Sequence, residues 1–504
     1  KREAGFSLHN RIFEKVSEDV TMESTTKRGI SAFVWTFLGS ILGFVFQMVS
    51  AKVLGASDYG KANVIIGLSG TYNVILNFGF TLLIVKESAS STEDENRSFS
   101  KFFYSYLLLD IISFPIVFYI LQINLSKVGM VNSLNITFAV LLMYFTQITA
   151  LLSSFLIGIR KQHKDAFLNN FLTGLLKLSL FFALYIIVGS YVSYLLSLIL
   201  TYVLIFLMFI KNIVPIKVTW KDLGHLLKNS WEFYLLNVVY SLYGSLSKYL
   251  QGLYVSTEVV AFLSLGLSLG AIGTMLGNVL AKMAMPEFAA YWKKRDIASL
   301  DQLFKRVSRY NTYVMLPIVL FIVVNVKPLL GLLGRQYEDG TFIVSVLLLS
   351  SFFNSFVGPN GTLLNMSDKQ GYEILNGFAG MVSGVALGVL LGPKYEWGIA
   401  VSIAVSTVVV NLLKFIEVGA LHKIFPYTAK DLLYIFFWTI TLLTSYKVIS
   451  TFSNHFIWLV MNVLITSVGI FFMFLLSRER EDKLFVLSTI KKAYYKIRRG
   501  SRSD

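Results

Sequence analysis

Small and polar residues recur along one face of the first apolar segment of the chain. They are separated by four, three, four and three residues, which is the spacing of a single stripe on a helix. The stripe consists of Thr36, Ser40, Gly43, Gln47 and Ser50. Polar side chains are costly against lipid, so such a stripe must face either a lumen or a tight helix interface.

A second stripe with the same steps begins 201 residues later. It consists of Asn237, Ser241, Gly244, Lys248 and Gln251. The same offset relates the next apolar segments, where Asn77 corresponds to Asn278 and Thr81 to Lys282. Both striped segments are expected to start on the same side of the membrane. The sequence therefore predicts two parallel repeats, related by a pseudo-two-fold axis along the membrane normal.

Lys248 is the candidate with the clearest chemistry on these stripes. It lies about 24 Å from the inner end of its predicted helix, and no acidic residue shares its stripe. An ammonium in this position either snorkels to the surface or meets an anion in a lumen. We predict a lumen that binds a polar, anionic substrate. Its predicted lining is Gln47, Asn77, Lys248, Asn278 and Lys282.

Asp110 and Lys177 are charged residues inside predicted spans of the first repeat. Both lie about 14–17 Å from the inner side, so they are predicted to contact each other. The contact would be a structural ion pair or part of coupling to a proton or a sodium ion. Lys414 and Glu417 are three residues apart on another span and are also predicted to pair.

The elements that carry these residues are membrane-spanning helices. The 504-residue chain is 55% hydrophobic and 15% charged, against about 25% charged residues in a soluble domain. Apolar runs of this length cross a bilayer as helices, because helices satisfy their own backbone hydrogen bonds. The sequence predicts an all-α polytopic protein with fourteen spans. They cover 29–53, 61–85, 102–122, 134–158, 167–188, 191–210, 232–255, 258–283, 311–333, 341–364, 372–392, 396–420, 431–449 and 456–477.

Positive charge sets the predicted orientation. Of the 45 Lys and Arg residues, 34 fall on one side of the fourteen-span arrangement and seven on the other. Cytoplasmic loops collect these residues, so both termini are predicted to be cytoplasmic. The net charge of +16 then indicates attraction to anionic membrane lipids and not to nucleic acid.

The spans group into two predicted six-helix lobes and a trailing helix pair. The segments 294–309 and 478–504 are each predicted to form an amphipathic helix on the inner leaflet. The predicted domains are a cytoplasmic N-terminal segment (1–28), an N-lobe (29–210), a linker (211–231), a C-lobe (232–420), a helix pair (431–477) and a basic cytoplasmic tail (478–504).

Several kinds of chemistry are excluded by residue type. There is no Cys, and the five His residues are too scattered to form a metal site. No G-x-x-x-x-G-K-[ST] phosphate loop is present. The sequence therefore predicts no metal, no cofactor and no direct use of ATP, and any net transport would use an ion, potential or substrate gradient.

Three short stretches carry a resemblance to a known family. They are "LGASDYG" after the first span, Glu258–Ala289 with Pro286 expected to end its helix, and "PLLGLLGRQY" at Pro328–Tyr337. The chain resembles Wzx-like flippases of the multidrug/oligosaccharidyl-lipid/polysaccharide exporter superfamily. The resemblance implies alternating access and transport of a polyprenyl-phosphate- or diphosphate-linked oligosaccharide across the cytoplasmic membrane.

The resemblance also leaves alternatives for function and partners. Glycan polymerases or glycosyltransferases are the implied partner machinery. A multidrug/cation antiporter on the same scaffold would favour acidic groups in the lumen, whereas the stripes carry Lys, Asn and Gln. A polytopic lipid-linked glycosyltransferase usually carries acidic residues in a large first external loop. The corresponding loop here is short and contains one acidic residue, Asp58.

Overall fold

A computed structural model describes residues 2–90, 95–231, 234, 254–449 and 455–476. These residues are helical and contain no β-strand, so the predicted all-α class is confirmed. The helices are α1 Arg2–Leu76, α2 Phe80–Ser90, α3 Glu95–Lys127, α4 Ser133–Gly158, α5 Gln162–Asp165, α6 Thr173–Val188, α7 Tyr191–Phe209, α8 220–231, α9 Thr257–Lys293, α10 Ile297–Val324, α11 Val326–Leu333, α12 Thr341–Phe356, α13 Asn360–Met366, α14 Gln370–Leu391, α15 Gly398–His422, α16 Ala429–Ile449 and α17 His455–Leu476. A π-helical turn, Ala166–Leu172, joins α5 to α6.

Ten helical segments of the described chain are long and apolar enough to cross a membrane. Each predicted span other than the seventh falls on one or two of the helices above. Most of the seventh, 232–255, lies outside the described residues. The protein is thus a multi-pass helical membrane protein, but the count of fourteen spans is not confirmed.

The "LGASDYG" stretch forms a sharp kink within α1 and does not form an extended loop. Only Gly55 leaves the helical conformation there, with φ 76° and ψ 168°, a region that is essentially open to glycine alone. Val255 and Ser256, directly before α9, are also non-helical, and Ser256 is 201 residues after Gly55. A Cβ atom at Gly60 would lie 1.7 Å from the carbonyl oxygen of Thr257. The motif therefore uses one glycine to turn the chain and another to let the backbone of Thr257 approach.

Three predicted spans contain interruptions that the apolar pattern did not indicate. The second span breaks between α1 and α2, where Phe78 and Gly79 both have positive φ. The ninth breaks at Asn325, between α10 and α11. The tenth breaks at 357–359, between α12 and α13, where Gly358 has φ 93°. Broken helices are tolerated at membrane depth where the freed backbone is buried in protein or lines a cavity.

Two predictions for the segment between the eighth and ninth spans, on the side predicted to be cytoplasmic, are wrong. Pro286 does not end its helix, because α9 continues to Lys293. The segment 294–309 is not a separate interfacial helix: α10 begins at Ile297 and continues without interruption into the ninth span. Asp296 caps this helix by accepting hydrogen bonds from the backbone and hydroxyl of Ser299 at 3.0 and 2.7 Å. These two bonds hold the pKa of Asp296 below its usual range.

The linker between the predicted lobes contains the capped helix α8. The Thr219 hydroxyl donates to Asp222 Oδ2 at 2.6 Å and accepts from the Asp222 backbone at 3.2 Å. This reciprocal arrangement satisfies two groups at the start of the helix. Hydrogen bonds from the Thr219 side chain and backbone keep the pKa of Asp222 below its usual range.

The chain divides into two compact units. The first contains residues up to Leu265 together with Gly384–Ile399, and the second contains Gly266–Ser383 and the chain from Ala400 onward. Aromatic residues such as Phe80 and Phe99 form a core in the first unit. In the second unit α16 and α17 pack against α10. The lobe boundaries expected from the repeat stay a prediction, since the observed division lies within α9.

Candidate functional site

The second unit contains a partly open cavity of about 170 Å³ among the helices that carry its polar residues. Residues from α9, α10, α12, α13 and α15 line it, together with the break at 357–359. Five of the lining residues are asparagines, an unusual density for apolar spans. They are Asn278, Asn311, Asn354, Asn360 and Asn411.

Two of these asparagines are held in place through their amide nitrogens. Asn311 Nδ2 donates to the Ser355 hydroxyl at 2.7 Å, and Asn360 Nδ2 donates to the Val357 carbonyl at 3.0 Å. Asn311 and Asn360 are 1% and 2% exposed, and the Oδ1 atom of each has no hydrogen-bond partner. Buried acceptors of this kind are costly unless a ligand or water donates to them.

Two glycines allow the broken tenth span to lie close to its neighbours. A Cβ atom at Gly358 would lie 2.6 Å from the Ser308 hydroxyl oxygen of α10. A Cβ atom at Gly361 would lie 2.1 Å from the Glu373 carboxylate and 3.3 Å from Lys414 Nζ. The "GPNG" sequence at 358–361 therefore shapes the cavity wall through both its backbone conformation and its lack of side chains.

An ion pair joins α14 to α15 beside the cavity. Lys414 Nζ lies 2.8 Å from Glu373 Oε2, and their side chains are 17% and 4% exposed. The predicted pairing of Lys414 with Glu417 is wrong, because Glu417 instead accepts from Asn376 Nδ2 at 2.6 Å. Residues three apart on one helix can meet, but here the neighbouring helix supplies a partner to each of them.

Of the predicted site residues in the second unit, one lines the cavity. Asn278 is a lining residue with an exposed side chain. Lys282, one turn further along α9, is exposed and is not part of the lining. The asparagines on α10, α12, α13 and α15 were missed by the sequence reasoning. Amides inside apolar runs, and the helix-breaking "GPNG", were the signals that could have found them.

Gln47, in the first unit, lies at a helix interface. Its Oε1 accepts hydrogen bonds from the hydroxyls of Tyr59 and Tyr194, the latter at 3.2 Å. The ring of the adjacent Phe46 stacks on Tyr194 with the centroids 4.9 Å apart. At Gln47 the polar stripe of α1 therefore contacts the part of α1 that follows the kink, through Tyr59, and α7, through Tyr194.

Asn77 lies at the break between α1 and α2. Its backbone carbonyl accepts from the Tyr106 hydroxyl at 2.8 Å and from the Phe80 backbone at 3.1 Å. Its side-chain oxygen accepts from the Thr81 hydroxyl at 3.1 Å. These bonds satisfy acceptors that the interruption removes from the helix. The repeat partners Asn77 and Asn278 thus differ in local structure, because α9 is continuous at Asn278.

The predicted ion pair between Asp110 and Lys177 is absent from the structure, in which both residues are described. Lys177 Nζ instead lies 3.1 Å from the Tyr202 hydroxyl and 4.9 Å from the centre of that ring. Asp110 is 9% exposed, and its Oδ1 has no hydrogen-bond partner. Equal depth did not imply contact, since α3 packs mainly against α4 and α2, whereas α6 packs mainly against α7 and α1.

The remaining predicted site residue, Lys248, lies outside the described residues. Within the described ranges, no group of three or more His, Asp and Glu side chains is arranged to hold a metal ion. The site that the structure displays is thus an asparagine- and hydroxyl-lined cavity with one ion pair at its edge. Such a lining can form many hydrogen bonds with an uncharged polar ligand.

Comparison of the fold with solved structures gives matches over most of the chain. A structure of the lipid II flippase MurJ in an inward closed conformation matches with a TM-score of 0.71 and 14% identity, covering 88% of this chain and 98% of that one. An inward-facing multidrug resistance MATE family transporter of the MOP superfamily matches with a TM-score of 0.57 and 13% identity, covering 78% and 98%. An outward-facing MATE structure gives 0.51 and 13%, covering 79% and 96%. At these identities the likeness concerns the fold.

Sequence comparisons identify the family. No curated protein matches the sequence. Residues 25–292, more than half of the chain, match the family model described as "Polysaccharide biosynthesis protein". With the membrane-spanning fold and the cavity described above, this match shows that the chain belongs to the polysaccharide biosynthesis protein family.

Proposed function

We propose that this protein is a flippase that moves a lipid-linked oligosaccharide across the cytoplasmic membrane by alternating access. The observation that carries the proposal is the family match over 25–292, on a fold that the MurJ flippase shares over 88% of the chain. The family supplies the connection to polysaccharide synthesis, and the fold supplies a transporter scaffold. The substrate class follows from combining the two.

A lipid-linked oligosaccharide has three parts that a carrier must accommodate. The phosphate or diphosphate requires a cation, the glycan requires hydrogen-bonding groups, and the polyprenyl tail remains in lipid. We assign the phosphate to Lys248, since no acidic residue on its stripe neutralises it. Gln47, Asn77, Asn278 and Lys282 are proposed to complete the lumen, and the lining position of Asn278 supports this assignment for one of them.

The proposed orientation places both termini in the cytoplasm. The 34-to-7 distribution of Lys and Arg supports it. In this orientation α9 runs inward from Thr257, so the cavity lies toward the cytoplasmic half of the second unit. Anionic lipids would surround the basic inner loops, and the glycan polymerases or glycosyltransferases that make or consume the substrate would be partners.

Asp110 is our candidate for coupling transport to a proton or sodium ion. Its carboxylate is buried on α3 and has one oxygen without a hydrogen-bond partner. A carboxylate in such surroundings is expensive unless a cation binds it or a proton neutralises it. Lys177, which contacts Tyr202, is not a counter-ion in this conformation.

A multidrug/cation antiporter is the alternative function on this scaffold, because the fold is also similar to that of a MATE family transporter. Such a protein needs acidic side chains that are available to a cationic drug. Among the described residues that line the cavity, Lys414 is the one charged side chain, and it is already paired with Glu373. The cavity as observed suits a neutral ligand better than a cation.

Gene deletion and complementation test the proposed function. Cells without the protein should accumulate lipid-linked oligosaccharide in the inner leaflet, and the wild-type chain should clear it. Lys248→Ala should fail to clear it while still inserting and expressing, and Lys248→Arg should restore more transport than Lys248→Gln. Lys127→Ala, at an exposed residue of a predicted outer loop, is the matched control and should behave as wild type. Equal clearance with and without the protein would refute the proposal.

A further inference from the structure

We propose that the cavity of the second unit is a binding subsite for one neutral sugar unit of the transported glycan. This inference rests on the proposed function and adds to it which part of the substrate binds here. The phosphate is excluded, because the one charged residue of the lining, Lys414, is already paired with the Glu373 carboxylate. The following features of the lining each support that assignment.

The unpartnered acceptors indicate a ligand with hydroxyl or amide donors. Asn311 Oδ1 and Asn360 Oδ1 are buried, lack partners and belong to lining residues. The amide nitrogen of each is already used within the protein, so the side chains cannot rotate without losing those bonds. The two side chains are therefore held in fixed orientations beside the cavity, and no protein donor competes for either oxygen.

The size and the mixed polarity of the cavity fit a single hexose. Its volume of about 170 Å³ is comparable with that of a cavity of about 150 Å³ that holds one benzene ring, so it can admit one six-membered ring. Val307, Ala281 and Pro359 add apolar surface to the lining. A sugar ring presents hydroxyls at its edge and C–H groups on its faces, so it needs both kinds of contact.

The charge balance selects against the phosphate. Lys414 lines the cavity, but its ammonium is 2.8 Å from the Glu373 carboxylate. The absence of a side chain at Gly361 lets this pair lie directly against the cavity wall. A phosphate would have to compete with a buried carboxylate for the same ammonium, whereas a neutral sugar can accept a hydrogen bond from it.

Saturation-transfer NMR on the full-length protein in lipid nanodiscs tests the assignment. The probes are N-acetylglucosamine and methyl α-glucoside as neutral sugars, and glucuronate and inorganic diphosphate as anions. We expect signal transfer to a neutral sugar and none to the anions. Asn311→Leu and Asn360→Leu should each weaken the sugar response about tenfold, the cost of a buried hydrogen bond.

The matched control is Asn325→Leu, at the residue that directly follows the helix carrying Asn311. Asn325 is 0% exposed and also has an unpartnered Oδ1, but it does not line the cavity. Its substitution should leave sugar binding unchanged, so a general loss of folding is distinguished from loss of the subsite. Glu373→Gln should add binding of glucuronate or diphosphate, a gain that a misfolded protein cannot produce.

Three results would overturn the subsite. They are no transfer from wild type to either neutral sugar, equal loss in the Asn311, Asn360 and Asn325 variants, and diphosphate binding by wild type that the neutral sugars displace. The deletion phenotype is measured independently. A protein that clears lipid-linked oligosaccharide in cells but binds no free sugar would retain the proposed function and lose this inference.

Discussion

Lys414 on α15 and Glu373 on α14 form an ion pair of 2.8 Å whose carboxylate side chain is 4% exposed. The pair links the two helices beside the cavity, and both charges are removed from bulk water. Attraction between buried charges offsets their desolvation only while both are present. The pair therefore makes the stability of the second unit sensitive to the loss of either partner alone.

The first prediction concerns this pair. Lys414→Met should lower the free energy of unfolding by about 3–5 kcal/mol, because it leaves Glu373 buried and unneutralised. The double variant Lys414→Met/Glu373→Leu should be less damaged than the single one. Thermal and denaturant unfolding of the purified protein in detergent measures both.

The control pair is Lys305 and Asp301 on α10, 2.6 Å apart with side chains 26% and 31% exposed. Lys305→Met should change the free energy of unfolding by only about 0.5 kcal/mol, since more exposed pairs of this spacing contribute little. Equal effects of Lys414→Met and Lys305→Met would show that burial does not strengthen the first pair.

The second prediction concerns the close approach of Gly60 to the backbone of Thr257 in the first unit. Gly60→Ala should destabilise the protein by about 1–3 kcal/mol, because the new methyl group would overlap the Thr257 carbonyl and the backbone would have to move. Gly70→Ala, in the same helix with nothing within 4 Å of its added Cβ, should be neutral or stabilising by up to about 1 kcal/mol. The melting temperatures of the two variants test this difference. Indistinguishable values would contradict the close approach of Gly60 to the Thr257 carbonyl.

The third prediction concerns the break in the second span. Gly79 has φ 74°, so Gly79→Ala should cost about 1–2 kcal/mol through left-handed strain. Tyr106→Phe should cost about 1 kcal/mol, because it removes the hydrogen bond to the Asn77 carbonyl. If the span were instead a continuous helix, Gly79→Ala would stabilise the protein, and unfolding measurements would reveal that sign.

The fourth prediction uses a double-mutant cycle on Asp110 and Lys177. The two side chains do not pair in the structure, so the effects of Asp110→Asn and Lys177→Met on unfolding should add to within about 0.5 kcal/mol. Transport should separate them further: Asp110→Asn should remove the dependence of flipping on an imposed ion gradient, and Lys177→Met should retain it. A coupling energy of several kcal/mol would show instead that Asp110 and Lys177 form the ion pair expected from their equal depth.

The sequence predicts the spans well because apolar length alone dictates them. The thirteen predicted spans that fall on described residues are helical, apart from the interruptions in the second, ninth and tenth. The kink at Gly55 and its counterpart at Ser256 also lie where the repeat offset places them. These features depend on local composition and on glycine, which a single sequence displays directly.

The site was harder to predict, because it depends on which helices are neighbours. Asp110 and Lys177 share a depth but lie on helices whose main packing partners differ. Lys414 meets Glu373 on another helix and leaves the residue three positions away to Asn376. The cavity combines asparagines from separate spans around a break that hydropathy does not register. Helical periodicity indicates which face of a helix is polar, but which helix packs against that face depends on the tertiary structure.

Flipping in proteoliposomes tests the proposed transport of a lipid-linked oligosaccharide without the rest of the cell. A fluorescent polyprenyl-diphosphate oligosaccharide is placed in vesicles with the purified protein, and a membrane-impermeant quencher reports the fraction in the outer leaflet over time. We expect rapid equilibration with the wild-type protein, no such acceleration with Lys248→Ala, and an unchanged rate with Lys127→Ala. Slow, protein-independent equilibration in every sample, together with uptake of a cationic drug by the wild type, would contradict the proposed flippase activity.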